Sequence, residues 1–187
     1  MDTLTQLSRT LSPEHCVRNE PLSHHTTLGI GGPADILFSA VSTDDLISAV
    51  RHARELRIPV TILGNDSNML VADSGIRGLV IENKDDTVTI HETPQKGMRR
   101  KKHIPPRWNS DKIQGTFQYE FADLDYDESN VPTITVDVDS GVRLPSLMWS
   151  LFQEGITGLQ WFSDIPGTIG GAVFNNIHGG THFSVNV

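Results

Sequence analysis

Three glycine-rich segments constrain this chain more than any other feature: residues 26–33 (TTLGIGGP), 63–68 (LGNDSN) and 165–172 (IPGTIGGA). Glycine has no Cβ, so it reaches positive φ and lets a second group lie against the backbone. The first segment leads into Ala34-Asp35-Ile36-Leu37-Phe38-Ser39, which reads as a strand. The second leaves Ile58-Pro59-Val60-Thr61-Ile62-Leu63, which reads as a buried strand. Between them, Ser42-Thr43-Asp44-Asp45 carries hydroxyl and acidic caps ahead of Leu46, Ile47, Val50, Ala53 and Leu56 at helical spacing. The pattern is strand, helix, strand, then a polar loop.

The flanking regions read more weakly. A short helix is expected around Leu4-Thr5-Gln6-Leu7, stopped by Ser12-Pro13, with a polar stretch through residues 19–23. Met69-Leu70-Val71 and Leu79-Val80-Ile81 are strand candidates on either side of the turn Asp73-Ser74-Gly75. Residues 83–130 change character, with charge runs and Pro105-Pro106. The alternating segments 87–90 and 116–121 predict an antiparallel hairpin with a loop over 93–113. Residues 133–138 read as a strand, and Leu144-Pro145 opens a helix that Gly155 closes.

The charge balance excludes one class of partner. Fifteen Lys and Arg against 23 Asp and Glu give a formal charge of −8, whereas a nucleic-acid surface needs clustered cations. The basic run Arg99-Arg100-Lys101-Lys102 is followed by acidic stretches and reads as a solvated loop. Cys16 is the single cysteine, so an intrachain disulfide is impossible and a reducing compartment fits. Residues 1–20 lack an apolar signal region, and no stretch approaches the roughly 20 apolar residues of a membrane span. A soluble, cytoplasmic chain is the expectation.

The second and third segments carry the chemistry. A strand that feeds Gly64-Asn65-Asp66-Ser67-Asn68 can present backbone N–H groups to a phosphate or pyrophosphate, though an ordinary polar turn has the same composition. Neither a Walker loop nor a dinucleotide fingerprint is present there. In Ile165-Pro166-Gly167-Thr168-Ile169-Gly170-Gly171-Ala172, Pro166 fixes one φ and three glycines bare the backbone. That suits either a flat ring or diphosphate, or a tight turn into a packed helix. The first segment, alone, is a loop before a strand.

Taken in order, four motifs resemble the UDP-N-acetylenolpyruvoylglucosamine reductase (MurB) family. They are TTLGIGGPAD at 26–35, IPVTILGNDSNMLV at 58–71, GIRGLVI at 75–81 and GLQWFSDIPGTIGGA at 158–172. The likeness covers nearly the whole chain except 83–130. It implies an α+β fold, the two-subdomain FAD-binding module of the vanillyl-alcohol-oxidase and p-cresol-methylhydroxylase type. Residues 1–17 would be an N-terminal helical segment and 18–82 the first subdomain. Residues 83–187 would be the second, with a charged insertion near 93–130, and a C-terminal substrate domain would be absent.

By the same resemblance, Leu63, Gly64, Asn65, Asp66, Ser67 and Asn68 would cradle the FAD pyrophosphate. Ile165, Pro166, Gly167, Thr168, Gly170, Gly171 and Ala172 would line the cofactor further along. Thr27, Ile30, Gly31 and Gly32 would sit near the same cleft. Ser67 stands where oxidases of the wider group often carry a covalently attached histidine, so non-covalent FAD is expected.

In the family, NADPH reduces FAD and hydride passes to the enolpyruvyl carbon of a UDP-sugar, with a serine as proton donor. No residue of this chain is assigned a catalytic role, because the family's serine, arginine and glutamate fall beyond its last motif. The UDP-sugar substrate is expected only where that further domain is present. His178 departs from the family pattern and resembles sugar-lactone oxidases of the wider group. It is either a flavin contact or a hydrogen-bonded loop histidine. A sugar or sugar-lactone oxidoreductase, or a non-catalytic interaction domain, are the alternatives.

The other histidines form no metal constellation. Adjacent His24 and His25 are expected to point apart in an extended chain, His52, His91 and His103 are scattered, and Gly179-Gly180 argues against a helix that would put His178 and His182 on one face. Asp125, Asp127 and Glu128 match a calcium loop only loosely. Trp149, Phe152, Trp161 and Phe162 read mainly as core, with Trp161 or Phe162 as possible flavin neighbours.

Overall fold

The computed structural model describes residues 2–91, 134–179 and 183–184. Met1–Thr89 and Val136–Val187 cluster as one compact unit, and Ile90–Thr135 as a second. The second unit lies almost wholly outside the described residues, together with the expected strand at 116–121, the basic run at 99–102, His103 and the acidic residues at 125–128.

In the first unit, helix α1 (Thr3–Thr10) starts where the Asp2 carboxylate accepts the Thr5 N–H at 2.6 Å. Strand β1 (Cys16–Pro21) follows, then β2 (Pro33–Ala40), helix α2 (Thr43–Glu55), β3 (Val60–Leu63) and β4 (Ile76–Asn83). The expected cap is present on α2, with the Ser42 hydroxyl accepting the Asp45 N–H at 3.1 Å. The four strands form one sheet in the order β1-β2-β4-β3. β1 runs antiparallel to β2, whereas β2, β4 and β3 are mutually parallel.

Period-two alternation gives the sheet two buried faces. Ile36, Phe38 and Ala40 of β2 join Leu79 and Ile81 of β4 on the face covered by α1 and α2, through Leu7, Leu11, Ala49 and Ala53. Leu37 and Val80 point the other way, where Leu22, Leu63 and Val71 cover them. A register shift between Ala34 and Ile36 turns Ala34 onto that second face.

Three local expectations are corrected. Residues 16–21 form a strand, although their polarity hid it: β1 is an edge strand with exposed side chains. Met69-Leu70-Val71 is not a strand. Because β3 and β4 are parallel, the chain must return across the sheet between them, and residues 64–75 are that crossover, anchored by Val71. Trp149 and Phe152 are exposed, because α3 (Leu144–Gln153) buries Leu144, Leu147, Met148 and Leu151 instead. Phe162 is buried as expected.

Strands β5 (Val88–His91) and β6 (Thr135–Val138) pair as a separate two-stranded sheet. Helix α4 (Ile169–Phe174) follows α3, and β7 (His178–Gly179) pairs antiparallel with β8 (Phe183–Ser184). Among the described residues no helix is long and apolar enough to cross a membrane.

Candidate functional site

The carboxyl ends of β3 and β4 open onto a cavity of about 950 Å³. Crevices at the carboxyl ends of parallel strands are the usual ligand sites of such sheets. Every residue from Leu63 to Asn68 lines it, as do Ile165, Pro166, Gly167, Thr168, Gly170, Gly171 and Ala172. Two of the three sequence segments, about a hundred residues apart, therefore line one cavity side by side.

Their contact is close and specific. The Ser67 hydroxyl donates to the Pro166 carbonyl at 3.0 Å. A Cβ on Gly64 would stand 2.5 Å from Thr168 Oγ1, so only glycine permits the approach. Gly167 sits at φ +145°, which strains any other residue.

The two walls differ in what they offer. In the Ile165–Ala172 segment most donors are already used. Ile169 N–H donates to Val142 O at 2.9 Å, Gly170 N–H to Ser140 O at 2.8 Å, and Gly171 N–H to the capping Thr168 hydroxyl at 3.3 Å. This wall is a tight turn into α4 that also bares its backbone to the cavity. By contrast, the N–H groups of Asn65, Asp66, Ser67 and Asn68 donate to no group among the described residues. Asp66 holds φ +49°. Successive free N–H groups around a left-handed residue form a concavity that accepts an anion.

The first glycine-rich segment buttresses this loop and does not line the cavity. Thr27 directs its N–H to Asp66 O and its hydroxyl to Asn65 O, both at 3.4 Å. The Thr26 hydroxyl donates to Ile30 O at 2.7 Å. Gly32 N–H donates to Ala72 O at 2.9 Å, and a Cβ on Gly31 would press on Val71. Thr27, Gly31 and Gly32 thus hold the crossover, and Ile30 serves only to accept the Thr26 hydroxyl within its own segment. His178 is placed by its backbone, opposite Ser184 in the β7–β8 pair.

Several lining residues carried no sequence signal. Asn83 ends β4 and donates to the Ser140 hydroxyl at 2.8 Å, and both residues line the cavity. Ile62 and Phe174 are exposed apolar residues at its walls, 54% and 90% accessible. Each sits in an unremarkable apolar run, so only the tertiary fold reveals it.

A charged cluster lies around the loop. His24 and His25 do not point apart. The 3₁₀ turn Leu22–His24 turns both rings onto Glu20 Oε1, each at 3.2 Å, and holds that carboxyl below its usual range. His25 also stands 3.7 Å from Glu82, which Lys84 contacts at 2.9 Å. Burial pushes the Asp66 carboxyl up to about 6, Glu82 adding to the rise and His25 opposing it. Burial likewise raises the Cys16 thiol, against the pull of Arg18.

Fold and site together define a mixed α+β protein whose cavity is built from glycine-rich loops at the carboxyl ends of parallel strands. No family model matches the chain. It is 32% identical over 160 residues to the UDP-N-acetylenolpyruvoylglucosamine reductase of Thermobifida fusca, covering 86% of this chain and 35% of that one. To reductase 2 of Symbiobacterium thermophilum it is 34% identical over 170 residues, covering 90% and 42%. The chain belongs to the UDP-N-acetylenolpyruvoylglucosamine reductase family. It spans about two fifths of the length of these relatives. The crystal structure of the MurB enzyme from Thermus caldophilus gives a TM-score of 0.47 at 26% identity, over 84% of this chain and 40% of that one.

Proposed function

We propose that this chain is the FAD-binding portion of an NADPH-dependent reductase that converts UDP-N-acetylglucosamine enolpyruvate to UDP-N-acetylmuramate, a step of peptidoglycan precursor synthesis in the cytoplasm. The observation that carries this is the cavity wall at Asn65–Asn68. Four consecutive N–H groups that donate to nothing among the described residues, around a left-handed residue, share the cavity with a second segment of bare glycine backbone. A dinucleotide asks for this pairing: an anion cradle for the diphosphate and a Cβ-free surface for a flat ring.

Residues 63–68 hold the diphosphate, and residues 165–172 lie along the rest of the cofactor. Thr27, Gly31 and Gly32 keep the cradle in shape, and His178 is assigned to the flavin end. We divide the chain into a leading helical segment (1–17) and two subdomains (18–82 and 83–187), the second bearing the insertion near 93–130. Bound FAD supplies hydride-transfer chemistry, fed by NADPH, once the substrate-binding part of the enzyme is present. The attachment is non-covalent, since Ser67 stands where oxidases of the wider group often carry the histidine that bonds to the flavin.

The test is direct. The purified chain, incubated with FAD and desalted, should retain a flavin absorbance that acid precipitation releases entirely into the supernatant. Protein that neither quenches flavin fluorescence nor retains any flavin sinks the proposal. Retention of flavin in the precipitate sinks the non-covalent assignment alone.

A further inference from the structure

Asp66 is an odd residue to find in an anion cradle. It lines the cavity, the residue as a whole is only 8% exposed, and no donor among the described residues reaches its carboxyl, whose oxygens keep some contact with solvent. A carboxylate there repels a diphosphate held on the adjacent N–H groups, and low surrounding polarity strengthens that repulsion. The fold keeps the residue in place all the same: Thr27 donates to its carbonyl, and its backbone holds φ +49°.

The groups around it determine what a proton can do. Glu82, on β4, is the like charge that acts on it, and Ser39 from β2 donates to Glu82 at 3.2 Å. Lys84, just past β4, pairs with Glu82. From the turn after β1 comes His25, whose ring lies between Glu82 and Glu20, and His24 also meets Glu20. Asp66 therefore faces one carboxylate and one imidazole and is bonded to neither.

Resting on the dinucleotide assignment above, we propose that Asp66 is a charge gate in the cradle: the loop takes up a diphosphate together with one proton, which lodges on the Asp66 carboxyl. No covalent bond forms or breaks beyond that O–H, and the proton comes from solvent. The diphosphate raises the carboxyl further through like charge, so the neutral form dominates the complex even where the free protein carries the anion. The balance sets the preference of the site. Well above pH 6 each added negative charge on the ligand is resisted by Asp66, and an unphosphorylated flavin is not.

The experiment measures FAD affinity by fluorescence quenching from pH 5.5 to pH 8.5 with the whole chain. Wild type should weaken by up to tenfold per pH unit above about pH 6. Asp66→Asn keeps a residue type that accepts positive φ, and should bind FAD with little pH dependence and more tightly than wild type at pH 8. His25→Gln should keep the wild-type slope. Calorimetry in buffers of different ionisation enthalpy should show uptake of a proton in wild type and none in Asp66→Asn. Riboflavin, which has no diphosphate, should show no slope in either protein. An unchanged slope in Asp66→Asn, or a slope lost only in His25→Gln, overturns the gate and leaves the cofactor assignment standing. Absence of FAD binding in both proteins at every pH overturns the cofactor assignment itself.

Discussion

Asp66 also bears on folding. Its carboxyl is raised from 3.8 to about 6, chiefly by burial. A raised carboxyl favours the neutral form in the folded state, so its stabilising contribution is complete below the unfolded value near 4 and lost as pH rises through about 6. Asp66→Asn should match wild type in urea unfolding at pH 4. At pH 8 it should be more stable by about 1–2 kcal/mol, the two-unit shift discounted for solvent near the loop. Gly64 presents the opposite case. Gly64→Ala places a methyl against Thr168 Oγ1, forcing apart walls that Ser67 and Pro166 hold together. It should cost about 1–3 kcal/mol, as overpacking does, and weaken FAD binding at least tenfold on the quenching assay.

Among the elements, α4 is the most exposed to a single change. It has six residues, and Thr168 supplies its cap while also meeting Gly64. Thr168→Val, nearly isosteric, removes the cap and should cost about 1 kcal/mol in chemical denaturation. FAD affinity should fall with it, because the same residue forms a cavity wall. At this scale the sequence was unevenly informative. α2 was legible because Ser42 and two aspartates announce its start and its apolar spacing is regular. β2 and β4 were legible because both faces of the sheet are covered, which makes their apolar runs continuous. β1 was hidden, since an edge strand needs little apolar surface and its partner is chosen by tertiary pairing. Met69-Leu70-Val71 misled for a related reason: Val71 is buried, but as the anchor of a crossover. Of the site, the two glycine-rich walls were visible in composition and order. Asn83, Ile62 and Phe174 were not, because nothing in their local runs distinguishes a cavity wall from a core or a surface.

Across the whole molecule, cofactor and fold should stabilise one another, since the cavity joins β3, β4 and the segment before α4. Saturating FAD at 100 times its Kd should add about 2.7 kcal/mol and raise the melting temperature. A scan with and without FAD reads this directly, and an unchanged midpoint in a protein that retains flavin would mean the ligand sits elsewhere. The bond from Ser67 to Pro166 spans 99 residues of chain, and this separation has a consequence for biosynthesis. During translation the four-stranded sheet has all its strands once Asn83 has emerged, but its open cradle has no second wall. At typical elongation speeds that wall arrives roughly 5–20 s later. Through that interval the nascent protein has a folded scaffold and half a binding site, so flavin can be captured only near the end of this stretch. Ribosome-stalled chains ending just after Asn83 and fused to a linker long enough to clear the exit tunnel should resist protease across the sheet yet take up no FAD, whereas chains in which such a linker follows Phe174 should do both.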